Sequence, residues 1–232
     1  IASQYSMRKD HITDTLSRHG YSADMLSAVV GRGGLLPPVK SGAYEVNEEM
    51  ADVLMNRPVL EHASNLGGLI AKDIADEAGI PAYIYDSVSV DELSDVARIT
   101  GLSEIVRTSQ SHCLNMRAAA IKTAQEMGSA YTDMNLVVAH LGGGISLSAH
   151  RHGQMLDIVS DDEGPFSPER SGRLPIKNFI KLCAQHDIND IKKMVRGNGG
   201  LVSLLGTNSA LEVQKRIDSG DERARLVYEA MA

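Results

Sequence analysis

Tryptophan is missing from the 232-residue chain, and phenylalanine occurs only twice beside seven tyrosines. So few large rings argue against an aromatic-rich β-sandwich. Ten methionines, 21 glycines and many alanines point instead to closely packed α/β layers. Two cysteines, Cys113 and Cys183, are too few for a disulfide framework and read as reduced thiols of a cytoplasmic protein. No apolar run approaches 18 residues, so no helix is expected to span a bilayer. The opening, "IASQYSMRKDHITDTL", is too polar for the core of a signal peptide. The net charge is -7 and the basic residues are scattered, which argues against a nucleic-acid partner. No His/Cys spacing builds a zinc site, and neither internal repeats nor low-complexity linkers occur. There is no initiator methionine, and the sequence stops inside an amphipathic helical pattern. The expectation is a protein truncated at both ends. The length suits one large domain or two small ones with a proper core.

What is present reads as alternating elements. Residues 4 to 18 form an amphipathic stretch in which Met7, His11, Ile12, Thr15 and Leu16 fall near helical spacing. "MLSAVVGRGG" predicts a buried strand running into a glycine-rich turn, and "LLPPVKSGAYEV" a loop and an edge. "NEEMADVLMN" predicts a helix. "HASNLGGLIAKDIADEAG" predicts a clearer one, with Leu66, Ile70, Ile74 and Ala78 on one face and Gly79 as its stop. "IPAYIYD" follows as a strand, completing half of a βαβ unit. "VSVDELSDVARITG" is helical or mixed, and "CLNMRAAAIKTAQEM" is an Ala-rich helix closed by Gly128. "NLVVAH", "ISLSAH" and "QMLDIVS" predict an antiparallel set of strands, with "RHG" turning between the last two. His150 and His152 are expected at the surface of that turn. Short helices at "IKNFIKLCAQ" and "INDIKKMVRG" and a helical pair at the end complete the reading.

Four places carry chemistry. Gly142-Gly143-Gly144 interrupts two strands. It is neither a dinucleotide fingerprint, which needs a further glycine where Leu147 stands, nor a Walker loop. Bare N–H groups at such a turn admit an anion closely, and His140 and Ser146 flank it. A plain hairpin is the alternative. "GPFSPERSGRLP" stiffens a loop with proline around Arg170, whose planar fork suits phosphate or carboxylate. "GRGGLLPP" places Arg32 just after a strand, where α/β proteins bind ligands. Asp86 closes the strand "YIYD" and is placed to organise Mg²⁺, directly or through water. His62 and His112 are candidate contacts to an anionic substrate. Each residue taken singly also fits an ordinary loop.

Together the segments "GRGGLL", "EHASNLGGLIA", "PAYIYDSVSVDE", "NLVVAHLGGGISLSAH", "DEGPFSPERSGRLP" and "GNGGLVSLLGTNSALEV" resemble the acetate kinase/butyrate kinase family. That family lies within the actin, sugar kinase and heat-shock ATPase superfamily. The match is nearest the butyrate (branched-chain fatty acid) branch, and the segments occur in family order over nearly the whole chain. The resemblance implies an α/β, two-lobed actin-like ATPase (ribonuclease H-like) fold with an ATP cleft between lobes. It divides the chain into 1–88, part of an N-terminal, substrate-side lobe, and 89–232, part of a C-terminal, nucleotide-side lobe. It implies reversible transfer of the γ-phosphoryl group of ATP to a short-chain carboxylate, giving acyl phosphate and ADP, and a homo-oligomer.

By motif, Gly142, Gly143, Gly144, His140 and Ser146 correspond to the second phosphate-binding turn. Arg170 corresponds to the arginine that stabilises the transferring group, and Asp86 to the acid that organises Mg²⁺. Arg32 corresponds to a substrate-site arginine and His62 to a histidine near substrate. His112 stands where acetate kinases carry two histidines. The family's first phosphate turn, an Asn-Pro-Gly-Ser stretch, is absent, as are its later Gly-Gly adenosine motif and a downstream Glu. Weak ATP binding and little turnover are therefore expected of this stretch alone.

The residues fit the chemistry independently. A fatty carboxylate has a pKa of about 4.3, like Glu, and needs no strong base at neutral pH. Its difficulty is repulsion from polyphosphate, about 4 kcal/mol for two unit charges ~4 Å apart at an effective dielectric of ~20. Arg32, Arg170 and a metal near Asp86 would offset it. The rivals are an acetate or propionate kinase and a non-catalytic nucleotide-binding module.

Overall fold

A computed structural model describes residues 2–232. The chain divides into two compact units, Ile1–Ala118 and Ala119–Ala232. Among the described residues no helix is long and apolar enough to cross a membrane.

The first unit is built on a three-stranded sheet of order β1-β3-β2, with β1 at Val29–Arg32, β2 at Ala43–Glu45 and β3 at Ala82–Tyr85. β1 and β3 run parallel, Arg32 opposite Tyr85, while β2 pairs antiparallel on the other side of β3. Helices α1 (Tyr5–Arg18), α2 (Glu48–Asn56) and α3 (Asn65–Ala78) precede β3. The Asn47 side chain caps α2 by accepting from Met50 N at 2.9 Å, one of the donors a helix start leaves unpaired. Gly79, at φ 67°, closes α3 in the left-handed conformation that glycine adopts at no steric cost.

The apolar face read from the sequence of α3 is the one buried. Leu66, Ile70 and Ile74 pack with Leu54 and Val46 around Ile84, which is fully enclosed. α3 therefore completes the parallel β1–α3–β3 crossover.

Two expectations are corrected here. β1 is an edge strand rather than a buried one, and Val30 is 63% exposed. The amphipathic stripe of α1 buries no residue fully: Met7 and Ile12 face solvent, while Thr15 and Leu16 are half-buried. α1 is tied to α3 by Tyr5, which packs against the core, and by charge, with Lys9 Nζ 2.7 Å from Asp73 and 2.6 Å from Glu77. Those hydrogen bonds, Asp73 first, hold the Lys9 ammonium above its usual range. The stretch after β3 gives only the single turn α4 (Asp95–Arg98). Helix α5 (Cys113–Glu126) follows.

The second unit carries the antiparallel sheet β4 (Asn135–Leu141), β5 (Ile145–Arg151) and β6 (Gln154–Val159). The β5–β6 turn is His152-Gly153, with φ of 51° and 75°. Both are positive, as the two-residue hairpin turn matching strand twist requires. His150 is buried, against expectation. It lies on the face of β5 that also buries Ser146 and Ser148. Tyr131 Oη lies 2.7 Å from its Nδ1 and Ser148 Oγ 2.6 Å from its Nε2. Helices α6 (Ile176–Cys183), α7 (Ile188–Val195), α8 (Gly200–Leu205), α9 (Ala210–Asp218) and α10 (Glu222–Met231) complete the unit. α8 was not foreseen. Its Leu201 forms a small core with Val213, Ala224 and Val227 of the closing helical pair.

Candidate functional site

In the first unit, the glycines of "GRGG" are fixed by close approach. A Cβ on Gly31 would stand 2.2 Å from Gly67 O, one on Gly33 2.5 Å from Ser87 Cβ, and one on Gly34 2.6 Å from Asn65 Cα. β1 thus lies backbone to backbone on the start of α3, and Arg32 emerges exposed from that seam. Buried Asn65 accepts from Leu35 N at 2.9 Å and donates Nδ2–H to Leu60 O at 2.9 Å, pinning the loop beyond.

Because β1 and β3 are parallel and adjacent, Arg32 and Asp86 arrive at the same strand ends. Asp86 has φ 40° and is 2% exposed. Its Oδ1 accepts from Ser41 Oγ at 2.7 Å and from Gly42 N at 3.0 Å. Its Oδ2 lies 3.0 Å from Arg117 Nε, and Arg117 Nη2 lies 2.6 Å from Glu92 Oε2.

His62 is exposed, with Nδ1 2.8 Å from Ser64 Oγ. It helps line a pocket of about 50 Å³ with Leu54, Met55, Pro58 and Leu66. His112 is half-buried just before α5.

Cys113, next to it, is fully enclosed, and its thiol is pushed up to about 12, first by burial and then by the Asp86 charge. At about pH 8 roughly one such thiol in ten thousand is ionised, and only the thiolate reacts. A thiol reagent should therefore modify Cys183, which is exposed, and reach Cys113 only on unfolding. Two thiols of equal rate in the folded chain would contradict this enclosure.

In the second unit, the glycine triplet is a three-residue loop between the paired Leu141 and Ile145. Gly142 N donates to Gly144 O at 3.1 Å, whereas the N–H groups of Gly143 and Gly144 have no partner among the described residues. His140 leans over the turn, since a Cβ on Gly142 would stand 2.9 Å from its Nε2. Ser146, its cross-strand neighbour, is buried.

The turn is locked to the arginine loop. Gly143 O accepts from Ser167 Oγ at 2.7 Å and from Glu169 N at 3.2 Å. Arg170 donates Nε–H to Asp161 Oδ2 at 3.0 Å and Nη1–H to Glu169 O at 3.2 Å, leaving Nη2 without a partner among the described residues. Arg196 donates to the same Asp161 carboxylate at 3.0 and 2.9 Å. Beneath the loop, Leu201 N donates to Ser167 O at 3.2 Å and Gly197 N to Glu169 O at 2.8 Å.

In the first unit Arg32 and Asp86 thus sit at neighbouring strand ends, and in the second the glycine turn is hydrogen-bonded to the loop that carries Arg170. Sequence reading missed Arg117, Asp161, Ser167 and Arg196. For Arg117 a signal existed. Cys113, Met116, Arg117, Ala120 and Ala124 are all buried at helical spacing, and an arginine on a buried stripe needs a buried partner.

The remaining question is whether these residues suit a divalent cation and phosphate. The Oδ2 atom of Asp86 is buried and no hydrogen bond fills its lone pairs. Magnesium ordinarily uses one or two carboxylates together with substrate phosphates, so the donor fits. The two unpartnered glycine N–H groups fit phosphate oxygens.

Comparison with known proteins follows from the same segments. A model described as the Acetokinase family matches residues 102–232. A probable butyrate kinase of Listeria monocytogenes serotype 4a is 46% identical over 236 residues, and one of serotype 4b is 47% identical. The match covers 100% of this chain, which spans 66% of the length of those curated relatives. The acetate kinase of Porphyromonas gingivalis superposes with a TM-score of 0.81 at 19% identity, over 97% of this chain and 61% of that one. A propionate kinase from Francisella tularensis gives a TM-score of 0.74 at 19% identity, over 96% and 61%. These two show the α/β, actin-like ATPase fold, of which the chain holds a part.

Proposed function

The chain belongs to the Acetokinase family, and from that premise we propose that it carries most of a kinase that phosphorylates a short-chain fatty carboxylate with ATP. Butyrate or a branched analogue is the preferred acceptor, after the printed name of the Listeria relatives. The observation that carries the reading is the lock at Gly143. Its carbonyl holds Ser167 and Glu169, so one rigid piece offers two free backbone N–H groups and the Arg170 guanidinium.

In this reading Gly143 and Gly144 donate to phosphate oxygens. Arg170, aimed by Asp161, presents its remaining N–H groups to charge building on the transferring group. Preorganised donors gain most where they need not reorient during reaction. Arg32 grips the carboxylate and offsets its repulsion from the phosphates. Asp86 would hold magnesium, directly or through water, and the ion would supply neutralisation of phosphate charge. No general base is required, because the acceptor is already ionised. The apolar pocket beside His62 supports a short aliphatic tail.

The test uses a protein of the relatives' full length. Carboxylates from acetate to hexanoate are mixed with ATP and hydroxylamine, and acyl hydroxamate is measured. The expected kcat/KM is highest near four carbons. A maximum at acetate would move the assignment to an acetate kinase. Formation of no hydroxamate with any acid would leave a nucleotide-binding module.

A further inference from the structure

The tip of β3 holds more buried charge than stability calls for. The side chains of Asp86, Arg117 and Glu92 are 0%, 5% and 10% exposed. Two carboxylates share one guanidinium. Taking such groups out of water costs several kcal/mol per ion, and an apolar trio of equal volume would often serve the fold as well or better. The backbone adds to this, because Asp86 sits at φ 40°, a left-handed conformation uncommon outside glycine and concentrated at functional sites.

The geometry shows what the cluster achieves. The β2 side holds one oxygen of Asp86 through Ser41 and Gly42. Arg117 faces the other, arriving from the start of α5 and held in turn by Glu92. At Oδ2 the guanidinium contributes charge at 3.0 Å, yet the contact is not a well-directed hydrogen bond and the lone pairs stay open. An arginine that balances a carboxylate without occupying it is suited to fixing its direction.

We propose that Arg117 is the positioning residue for Asp86 in phosphoryl transfer. It aims the carboxylate while leaving Oδ2 without a hydrogen bond, and does not itself touch substrate. The inference rests on the reading of Asp86 given under the proposed function. Lysine would restore the charge but not the planar fork that spans Asp86 and Glu92.

The experiment is a double-mutant cycle in the full-length protein, with Asp86→Asn, Arg117→Lys, Arg117→Met and the two combinations. Turnover and carboxylate KM are read by hydroxamate formation, and folding by thermal melting. Arg117→Met should lower kcat about 100-fold with KM within about threefold, and Arg117→Lys should recover about tenfold of that loss. With Asp86→Asn already present, either change at 117 should matter less than about threefold, because residues acting as one unit are not additive. If Arg117→Met does not fold, the lysine arm completes the cycle. Independent, multiplicative effects would overturn the proposal, as would parental kcat in both single variants at 117. A parent that phosphorylates no carboxylate would instead overturn the functional reading, and the two failures are distinguished by the parent alone.

Discussion

If the proposed role of Arg170 holds, replacing it by alanine in a protein of the relatives' full length should lower turnover about a thousandfold and leave the fold standing. Arginines that stabilise a transferring phosphoryl group contribute roughly 10³–10⁵ in kcat. The lower end is expected here because the backbone donors of Gly143 and Gly144 remain. The fold should survive because the Arg170 side chain is 23% exposed and Asp161 keeps Arg196 as a partner. A partly exposed pair of this kind contributes less than about 1 kcal/mol. Arg170→Lys should rescue little, since an ammonium cannot bond Asp161 through one edge and present the other. The measurement is kcat from coupled ADP release, alongside the melting temperature. Turnover near the parental value would remove Arg170 from the mechanism.

Gly200→Ala should be the most damaging glycine substitution in the second unit. Gly200 has φ +60°, and a Cβ there would stand 1.7 Å from Ser167 O. Left-handed backbone costs an alanine roughly 1–2 kcal/mol, and forcing the carbonyl away adds roughly 1–3 kcal/mol. A total of about 3 kcal/mol corresponds to roughly 6–12 °C in melting temperature for a chain of this size. Ser167 is also the residue that holds Gly143, so phosphate affinity should fall together with stability. Gly206→Ala is the control, having φ +75° with no atom within 4 Å of the added Cβ. It should show the backbone penalty alone. Equal melting of the two variants would mean that the loop yields, and that the "GNGG" turn does not brace Arg170.

Both effects concern groups whose neighbours lie far along the chain. The four chemistry-bearing segments could be identified from residue type and punctuation alone. Glycine triplets, Pro-flanked arginine and an acid at a strand end are local signals that need no knowledge of packing. The crossover β1–α3–β3 was legible for the same reason, since the period of Leu66, Ile70 and Ile74 survives in any surroundings. The purpose of the glycines was less legible. Those of "GRGG" look like an anion grip, yet contact with Gly67, Ser87 and Asn65 requires them, and only the folded distances reveal that. His150 failed similarly. Its neighbours form a polar turn, but the two-residue alternation of β5 carries His150 onto the buried face shared with Ser146 and Ser148, where Ser148 and Tyr131 meet its ring.

From the sequence alone came the order of most elements, α8 excepted, the family resemblance and the residues able to handle two anions. Each follows from local propensity, periodicity and side-chain chemistry. The tertiary structure decided which charges are paired. Arg117 with Asp86 and Glu92, Asp161 between Arg170 and Arg196, and Gly143 with Ser167 all join residues distant in the chain. Such pairings depend on register and close approach between elements, which one-dimensional pattern does not encode.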